Sequence, residues 1–575
     1  MKRRCLMLFA VWIASLFPTL SQGAVFLDED RSLLFTLRGY SQGRMLTVEQ
    51  ERFRAEYYPV PEGTLLQQRT YLEPQLRQDL APRTDATPFL SGLRDYLGID
   101  NIRYFFGVRV EYDGIYDYGP EDYEDNLPES TRGDLRYKSR LFEAYGDLRF
   151  LKRLNLRIGR QNISWGETDA FRLLDQINHL DQSFGGFLTP LDERRVPSFM
   201  VKGNLDLGSY GWLNNLALEG FMEPIPELTG GPTMPVGAPW SIITGPPSSL
   251  ELRMPKKETW TDARGGGRFL ATLGDYSMSL ANYWTYPDSP TPTLYFDKTK
   301  FDPVKNAVPD ATEALDDAFR SGVPYVELAY PRIMISGASL SGPLPLSPYT
   351  IFRTEFAYVK DQPIFVPKKS LPLLTPVLNM DESQIDNLIS QLDTLKRQWT
   401  FIQGGEEGRF TKRDVLRWVV GLDRNQWIRF LNPRQTFFLS AQFFGEHYRD
   451  LPDNAYYSIQ KRALVREVTI PEDLGGGTAE LSKPFYVKLP QNYYRATATV
   501  KTGYPMWKGF ITPEFSAAMD FGDFDIFSYL LQPALNYIWD PFRVRLEYSY
   551  ISGDYIGIGF LKDRDNVMLK LEVVL

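Results

Sequence analysis

Arg160, Glu167, Asp169, Arg172 and Asp175 bring both signs of charge into one short stretch, with Asp192, Glu193, Arg194 and Arg195 not far behind. Carboxylates and guanidiniums at this density can do two things without a cofactor. They can line a constriction that sorts solutes by size and charge, or they can hold a loop in shape through paired ions. Both readings stay open for each residue, since holding the loop is itself what shapes a pore. Asp192, Glu193, Arg194 and Arg195 are the expected partners of the earlier charges.

Catalysis fits less well. The usual base near neutral pH is histidine, and the chain has two, His179 and His447. Glu446 precedes His447, but neighbours on a strand face opposite sides, and no nucleophile motif accompanies either histidine. No enzymatic activity is expected. The single cysteine is Cys5, which leaves no thiolate metal site or disulfide framework. Glu121, Asp122, Glu124 and Asp125 supply hard oxygen ligands but lack the fixed spacing of a dedicated cation site, so a solvated acidic loop is expected, with no metal and no cofactor.

The elements that must position these charges have a period of two. From Asp565 to the end, Val567, Leu569, Leu571, Val573 and Leu575 alternate with Met568, Lys570, Glu572 and Val574. Phe142, Ala144, Gly146, Leu148 and Phe150 alternate with Glu143, Tyr145, Asp147 and Arg149. The same pattern sets Arg103 and Arg109 against Ile102, Tyr104, Val108 and Val110, and Arg543, Arg545 and Glu547 against Phe542, Val544 and Leu546. The charged members are the candidates for a wet interior: Arg103, Arg109, Glu143, Asp147, Arg149, Arg543, Arg545 and Glu547.

Alternation alone does not separate a soluble sandwich from a membrane barrel; connection lengths do. Short turns at 151–153, 207–212, 273–275, 342–347, 503–508 and 538–541 interleave with long connections at 113–138, 164–197, 223–259, 287–323, 361–410 and 448–490. Outer-membrane barrels alternate short periplasmic turns with long extracellular loops in this way. The expected fold is all-β, a transmembrane antiparallel barrel of about 18 strands, with 16 as the alternative. A barrel of that size usually keeps an aqueous channel.

Composition agrees. Aromatic residues make up 14% of the chain, with 33 Tyr and 37 Phe, while the mean hydropathy is negative. Residues 1–23 read as a cleaved signal peptide: Lys2, Arg3 and Arg4, an apolar run from Leu6 to Phe17, then Ser21-Gln22-Gly23 before the cut. Losing those three cations takes the formal charge from −8 to −11, a poor balance for binding nucleic acid. Residues 24–575 are expected to form one barrel domain. Asp381–Lys396 has helical spacing (Ile385, Leu388, Ile389, Leu392, Leu395) and reads as a short amphipathic helix in a loop. Gly265, Gly266 and Gly267 interrupt a strand and suggest a bulge or a place where a loop backbone lies against the wall.

The run FEAYGDLRFLKRLNLRIGRQNISWGETDAFRLLDQIN, continuing to DERRVPSFMVKGNL, resembles a family of proteobacterial outer-membrane porin-like proteins, domain-of-unknown-function family 1302. Ala144, Tyr145, Asp147, Leu148, Gly159, Arg160 and Gln161 also resemble the AYxDL…GRQ pattern of the alginate-export porins. The chain departs from typical porins in ending on Leu575 rather than an aromatic residue. The resemblance implies an outer-membrane channel of a Gram-negative bacterium, in contact with outer-membrane lipid and lipopolysaccharide and inserted by the barrel-assembly machinery. The expected function is diffusion of small solutes. A second reading is an exit duct for an amphipathic or lipid-like substrate, partnered with an inner-membrane pump. Outside transport, the alternative is a surface-loop enzyme or adhesin. The sequence does not show the number of subunits.

Overall fold

Strands whose side chains alternate between apolar and polar need lipid or a core on one face and water on the other. A closed ring meets that need and leaves no free sheet edge. In the computed structural model the chain forms such a ring. The structure describes residues 25–48, 62–80, 88–120, 129–168, 171–181, 183–226, 238–240, 251–253, 260–288, 291–295, 325–345, 347–364, 411–452, 456–470, 477–522, 525–554 and 556–574, together with Leu127. The signal peptide expected at 1–23, the acidic run 121–125 and the helix expected at 381–396 lie outside the described residues.

Eighteen strands follow one another around the ring. They are β1 Leu33–Leu46, β2 Leu65–Asp79, β3 Ile99–Asp113, β4 Tyr137–Phe150, β5 Leu154–Gln161, β6 Ser198–Tyr210, β7 Leu213–Glu223, β8 Arg264–Leu273 and β9 Tyr276–Thr285. The second half comprises β10 Ile333–Leu344, β11 Ser347–Ile364, β12 Thr411–Gln426, β13 Phe437–Tyr448, β14 Asn492–Lys501, β15 Gly509–Gly522, β16 Asp525–Trp539, β17 Phe542–Gly553 and β18 Asn566–Val574. Every neighbouring pair is antiparallel, and β18 closes on β1 through Leu46↔Asn566 to Arg38↔Val574. The count is therefore the larger of the two expected.

The outer face is apolar. Leu569, Leu571, Leu546, Leu531 and Leu535 stand exposed on it, whereas Met568, on the other face of β18, is buried. Aromatic side chains mark both ends of this band. On β16, Tyr529 near one end and Trp539 at the other lie ten residues apart on the same face. At about 3.3 Å per residue and a tilt of about 40°, that spans roughly 25 Å of height, the thickness a bilayer requires.

Three details differ from the sequence reading. Helix α1, Pro88–Leu97, occupies the connection between β2 and β3 at the short-turn end. Phe142 was expected on the lipid side, but a bulge between Gly107 and Val108 in the β3–β4 pairing shifts the alternation there. It is buried with the Arg109 guanidinium 3.2 Å from its ring centroid. The irregularity in β8 falls between Leu270 and Thr272 rather than at the glycines. Gly266 is instead a close approach: a Cβ there would lie 2.2 Å from the Cβ of Tyr283.

Candidate functional site

The connection Asn162–Pro197 leaves β5, folds into the barrel and returns to β6. Sequence dictates this: Ile163, Trp165, Leu173, Leu174 and Ile177 are too apolar for solvent and have no lipid-facing strand to belong to. They bury against inward side chains of the wall, including Met200, Phe221, Tyr283, Ile335, Ala357, Val359, Val419 and Phe444. Trp165 meets Phe221 and Tyr283 edge-on, with centroids 5.3 Å and 5.5 Å away. The Tyr283 hydroxyl donates to the Leu174 carbonyl at 2.6 Å. Gly337 leaves room for this loop, since a Cβ there would come within 2.4 Å of Leu174 Cδ2. Burying each large apolar side chain contributes about 1.5–3 kcal/mol, so this flank of the loop is fixed to the wall.

Charge fixes both flanks. On β11, Glu355 accepts from the backbone N–H of Glu167 and, at 3.0 Å, from that of Leu174, while the Arg353 guanidinium donates to the Glu167 carbonyl. The opposite flank carries a short helical turn, α2, Leu191–Arg194. Its Glu193 carboxylate, 2% exposed as a side chain, pairs with Arg38 of β1 at 3.1 Å, Arg69 of β2 at 3.3 Å and Lys570 of β18 at 3.2 Å. The Tyr40 hydroxyl donates to it at 2.5 Å, and Arg109 of β3 donates to the Glu193 carbonyl at 2.8 Å. Burial alone would raise the Glu193 pKa; Lys570, Arg69, the Tyr40 hydroxyl and Arg38 hold it down at about 2. Strands β2 and β11 are nine apart in a ring of eighteen. The loop is thus pinned at diametrically opposite points of the wall.

A third anchor lies near the rim. Arg172 pairs with Asp288 and donates to the Asn178 carbonyl at 2.5 Å. His179 lies 3.5 Å from Asp288 and 3.3 Å from Arg264 Nη1, which is itself paired with Glu223. Burial lowers the His179 pKa, as does Arg264, with Asp288 opposing. Arg195 bridges Asp175 and Asp192, and Arg194 is buried beneath the same turn.

The sequence candidates distribute as follows. Arg172, Asp175, Arg194 and Arg195 share the inward loop, and Glu167 contributes its backbone to the Glu355 anchor. Asp169 lies outside the described residues. Arg160 is different: its register partners on β5's neighbours are Ala144 and Phe199. That places it on the outer face, opposite to Arg157 and Gln161. Arg160, expected to line a constriction or to hold the loop, therefore stands on the outward register beside Phe199.

The wall candidates all fall on the inward register. Arg103 pairs with Asp79 at 3.0 Å, Arg109 with Glu73 at 2.8 Å, and Asp147 with Arg157 at 2.7 Å. Arg545 reaches Glu514 at 3.0 Å and Glu547 at 2.8 Å. Glu143 accepts from the Asn162 N–H at 2.8 Å. Arg149 caps the Lys152 carbonyl at 3.0 Å, and Arg543 sits opposite Glu572 in the β17–β18 register. His447 is held by Asn492 at 2.8 Å on the face away from Glu446, which pairs with Arg417.

Sequence reasoning named Arg109 and Glu143 on the wall side of the anchors but missed Arg38, Tyr40, Arg69, Lys570, Glu355, Asp288 and Tyr283. A signal was present. Ile333-Met334-Ile335, Phe356-Ala357-Tyr358-Val359 and Trp418-Val419-Val420 are apolar on both faces, the mark of strands covered on both sides.

Several solved structures resemble the fold. They include Acinetobacter baumannii OccAB2 (7% identity, TM-score 0.38, covering 94% of this chain and 96% of that one). Pseudomonas putida OprB gives 11% identity, TM-score 0.37, and coverage of 95% and 94%. Pseudomonas aeruginosa OccK2 (OpdF), solved in complex with glucuronate, gives 8%, 0.38, and coverage of 96% and 98%. Among curated proteins, none matches the sequence. Residues 96–574 match the family described as "Protein of unknown function (DUF1302)", and the chain belongs to that family.

Proposed function

We propose that this barrel is an outer-membrane channel of a Gram-negative bacterium, carrying small solutes by diffusion, and that the loop Asn162–Pro197 sets its narrowest point. The observation that carries this reading is the loop's attachment to opposite walls through Glu193 and Glu355. A segment fixed at both ends of a diameter divides the cross-section permanently and leaves passage only beside it. The ion pairs on the inward faces of β2–β6 and β14–β18 supply a wet, charged lining on which solutes exchange water for protein partners.

Liposome swelling with sugars and organic acids of graded size tests this reading. The expected result is swelling that falls steeply with solute size and responds to solute charge. Liposomes that contain correctly folded protein and do not swell with the smallest sugars would contradict it.

A further inference from the structure

Like charges rarely stand directly opposite each other on neighbouring strands, because their Cβ atoms lie only about 5 Å apart and the charges repel. The inner wall holds one such pair. Arg157 of β5 and Lys202 of β6 are direct register partners on the inward face. Each has a carboxylate beside it: Asp147 accepts from Arg157 at 2.7 Å and 3.0 Å, and Glu219 of β7 lies 3.0 Å from Lys202. Among the described residues, Arg268 of β8 pairs with that same Glu219, its Nε 3.3 Å away without a hydrogen bond. Three cations therefore share two carboxylates.

The Glu219 side chain is 3% exposed, against 24% for Lys202 and 32% for Arg157, so the lumen meets these cations before that carboxylate. The inward loop completes the arrangement. Its Trp165 indole N–H donates to Glu219, and the Arg268 guanidinium lies 5.2 Å from the Trp165 ring centroid. Glu219 is one inward position nearer the short-turn end of β7 than Phe221, which puts the cluster on that side of the loop. An aromatic face stands alongside. Phe105 of β3 and Tyr145 of β4 are half-buried register partners stacked at 5.2 Å, and the Arg157 guanidinium lies 4.0 Å from the Tyr145 centroid. The next inward carboxylate on β4, Glu143, accepts from the Asn162 N–H and forms no ion pair among the described residues. One cation in excess beside two rings matches a solute with a single carboxylate on an apolar body. Phosphate carries nearly two charges, and Glu143 on the same wall opposes the second.

We infer that Arg157, Lys202 and Arg268 form a subsite for small monocarboxylates beside the constriction. The carboxylate is held by Lys202 and Arg157, where it relieves their mutual repulsion through charge-assisted hydrogen bonds. Arg268 adds positive charge behind them, and the body of the solute lies along the edges of Tyr145 and Phe105. The inference rests on the channel reading and adds the class of solute that the channel favours.

The test records single-channel current in about 0.1 M KCl, where the screening length is about 10 Å, while potassium benzoate, acetate or phosphate is added. Benzoate dwelling in the subsite interrupts the chloride current. The expected result is a concentration-dependent block that is strongest with benzoate, weaker with acetate and weakest with phosphate. Lys202→Gln and Arg157→Gln should each raise the half-blocking benzoate concentration about tenfold, the loss of one charge-assisted hydrogen bond, and Lys202→Arg should keep the block. Tyr145→Ala should weaken the benzoate block and spare that of acetate. Lys501→Gln removes an inward cation from the far wall, where Lys501 faces Glu514 in the β14–β15 register, and should leave the half-blocking concentration unchanged. Heat-modifiable gel migration shows that each variant is folded. A conducting parent that benzoate does not block, a block by phosphate as strong as by benzoate, or a Lys202→Gln effect no larger than that of Lys501→Gln overturns the subsite and leaves the channel standing. A folded barrel that carries no current removes the channel, and the subsite with it.

Discussion

Arg69 Nη1 lies 3.3 Å from Glu193 Oε2, with both side chains only 2% exposed. Arg69 belongs to the wall and Glu193 to the loop, so this pair ties a mobile kind of element to a rigid one. The same guanidinium also holds Glu111 at 2.7 Å. Removing one member of a buried pair leaves the other charge uncompensated, at about 3–5 kcal/mol. Glu193→Gln should therefore release the α2 flank, raising single-channel conductance and its open-state noise while the barrel stays folded. Planar-bilayer recording checks this; a trace indistinguishable from the parent would remove Glu193 as an anchor.

The apolar flank predicts a separate effect. Trp165→Ala deletes a ring packed edge-on to two others and its N–H donation to Glu219. A large-to-small change of this kind costs about 3–5 kcal/mol. Because the cost falls on the docked loop rather than the strands, protease sensitivity within 162–197 should rise while heat-modifiable gel migration is retained.

Acid should unlock the Glu193 anchor from a defined direction. Its carboxyl titrates at about 2 in the docked state and near 4.3 when free. The docked state is therefore favoured fully above pH about 4.5, and that contribution falls as pH drops from there towards 2. Conductance recorded from pH 7 downward should hold steady to about 4.5 and then rise. In Glu193→Gln this rise should be absent.

Arg172 and Arg160 should behave differently although the sequence places them together. Arg172 is tied to Asp288 and the Asn178 carbonyl inside the barrel, whereas Arg160 faces outward beside Phe199. Arg172→Ala should change conductance and ion preference, and Arg160→Ala should change neither. Ion preference measured as a reversal potential in a salt gradient decides between them.

The ring of strands was legible because each strand carries its own code. Val567 to Val574 names its two faces without reference to any neighbour, and the alternation of short and long connections orders the strands. The inward loop was legible only as a cluster of charge. Arg160 shows why: its spacing from Arg172 says nothing of where β5 ends, and a one-residue shift on a strand exchanges faces. Glu193 and Arg69 are far apart in sequence, and only ring closure through β18 and β1 brings Lys570 and Arg38 to the same carboxylate. Phe142 was misplaced for a local reason, since a bulge leaves no mark in the alternation itself.

The central claim is that Asn162–Pro197 constricts a water-filled barrel, and single-channel conductance with and without that loop tests it most directly. Replacing residues 163–196 with a short Gly-Ser turn between β5 and β6 removes both anchors at once. The account predicts a conductance several times that of the parent, with weaker ion preference. A conductance unchanged by the deletion, in a barrel that still inserts and resists denaturation, would contradict it.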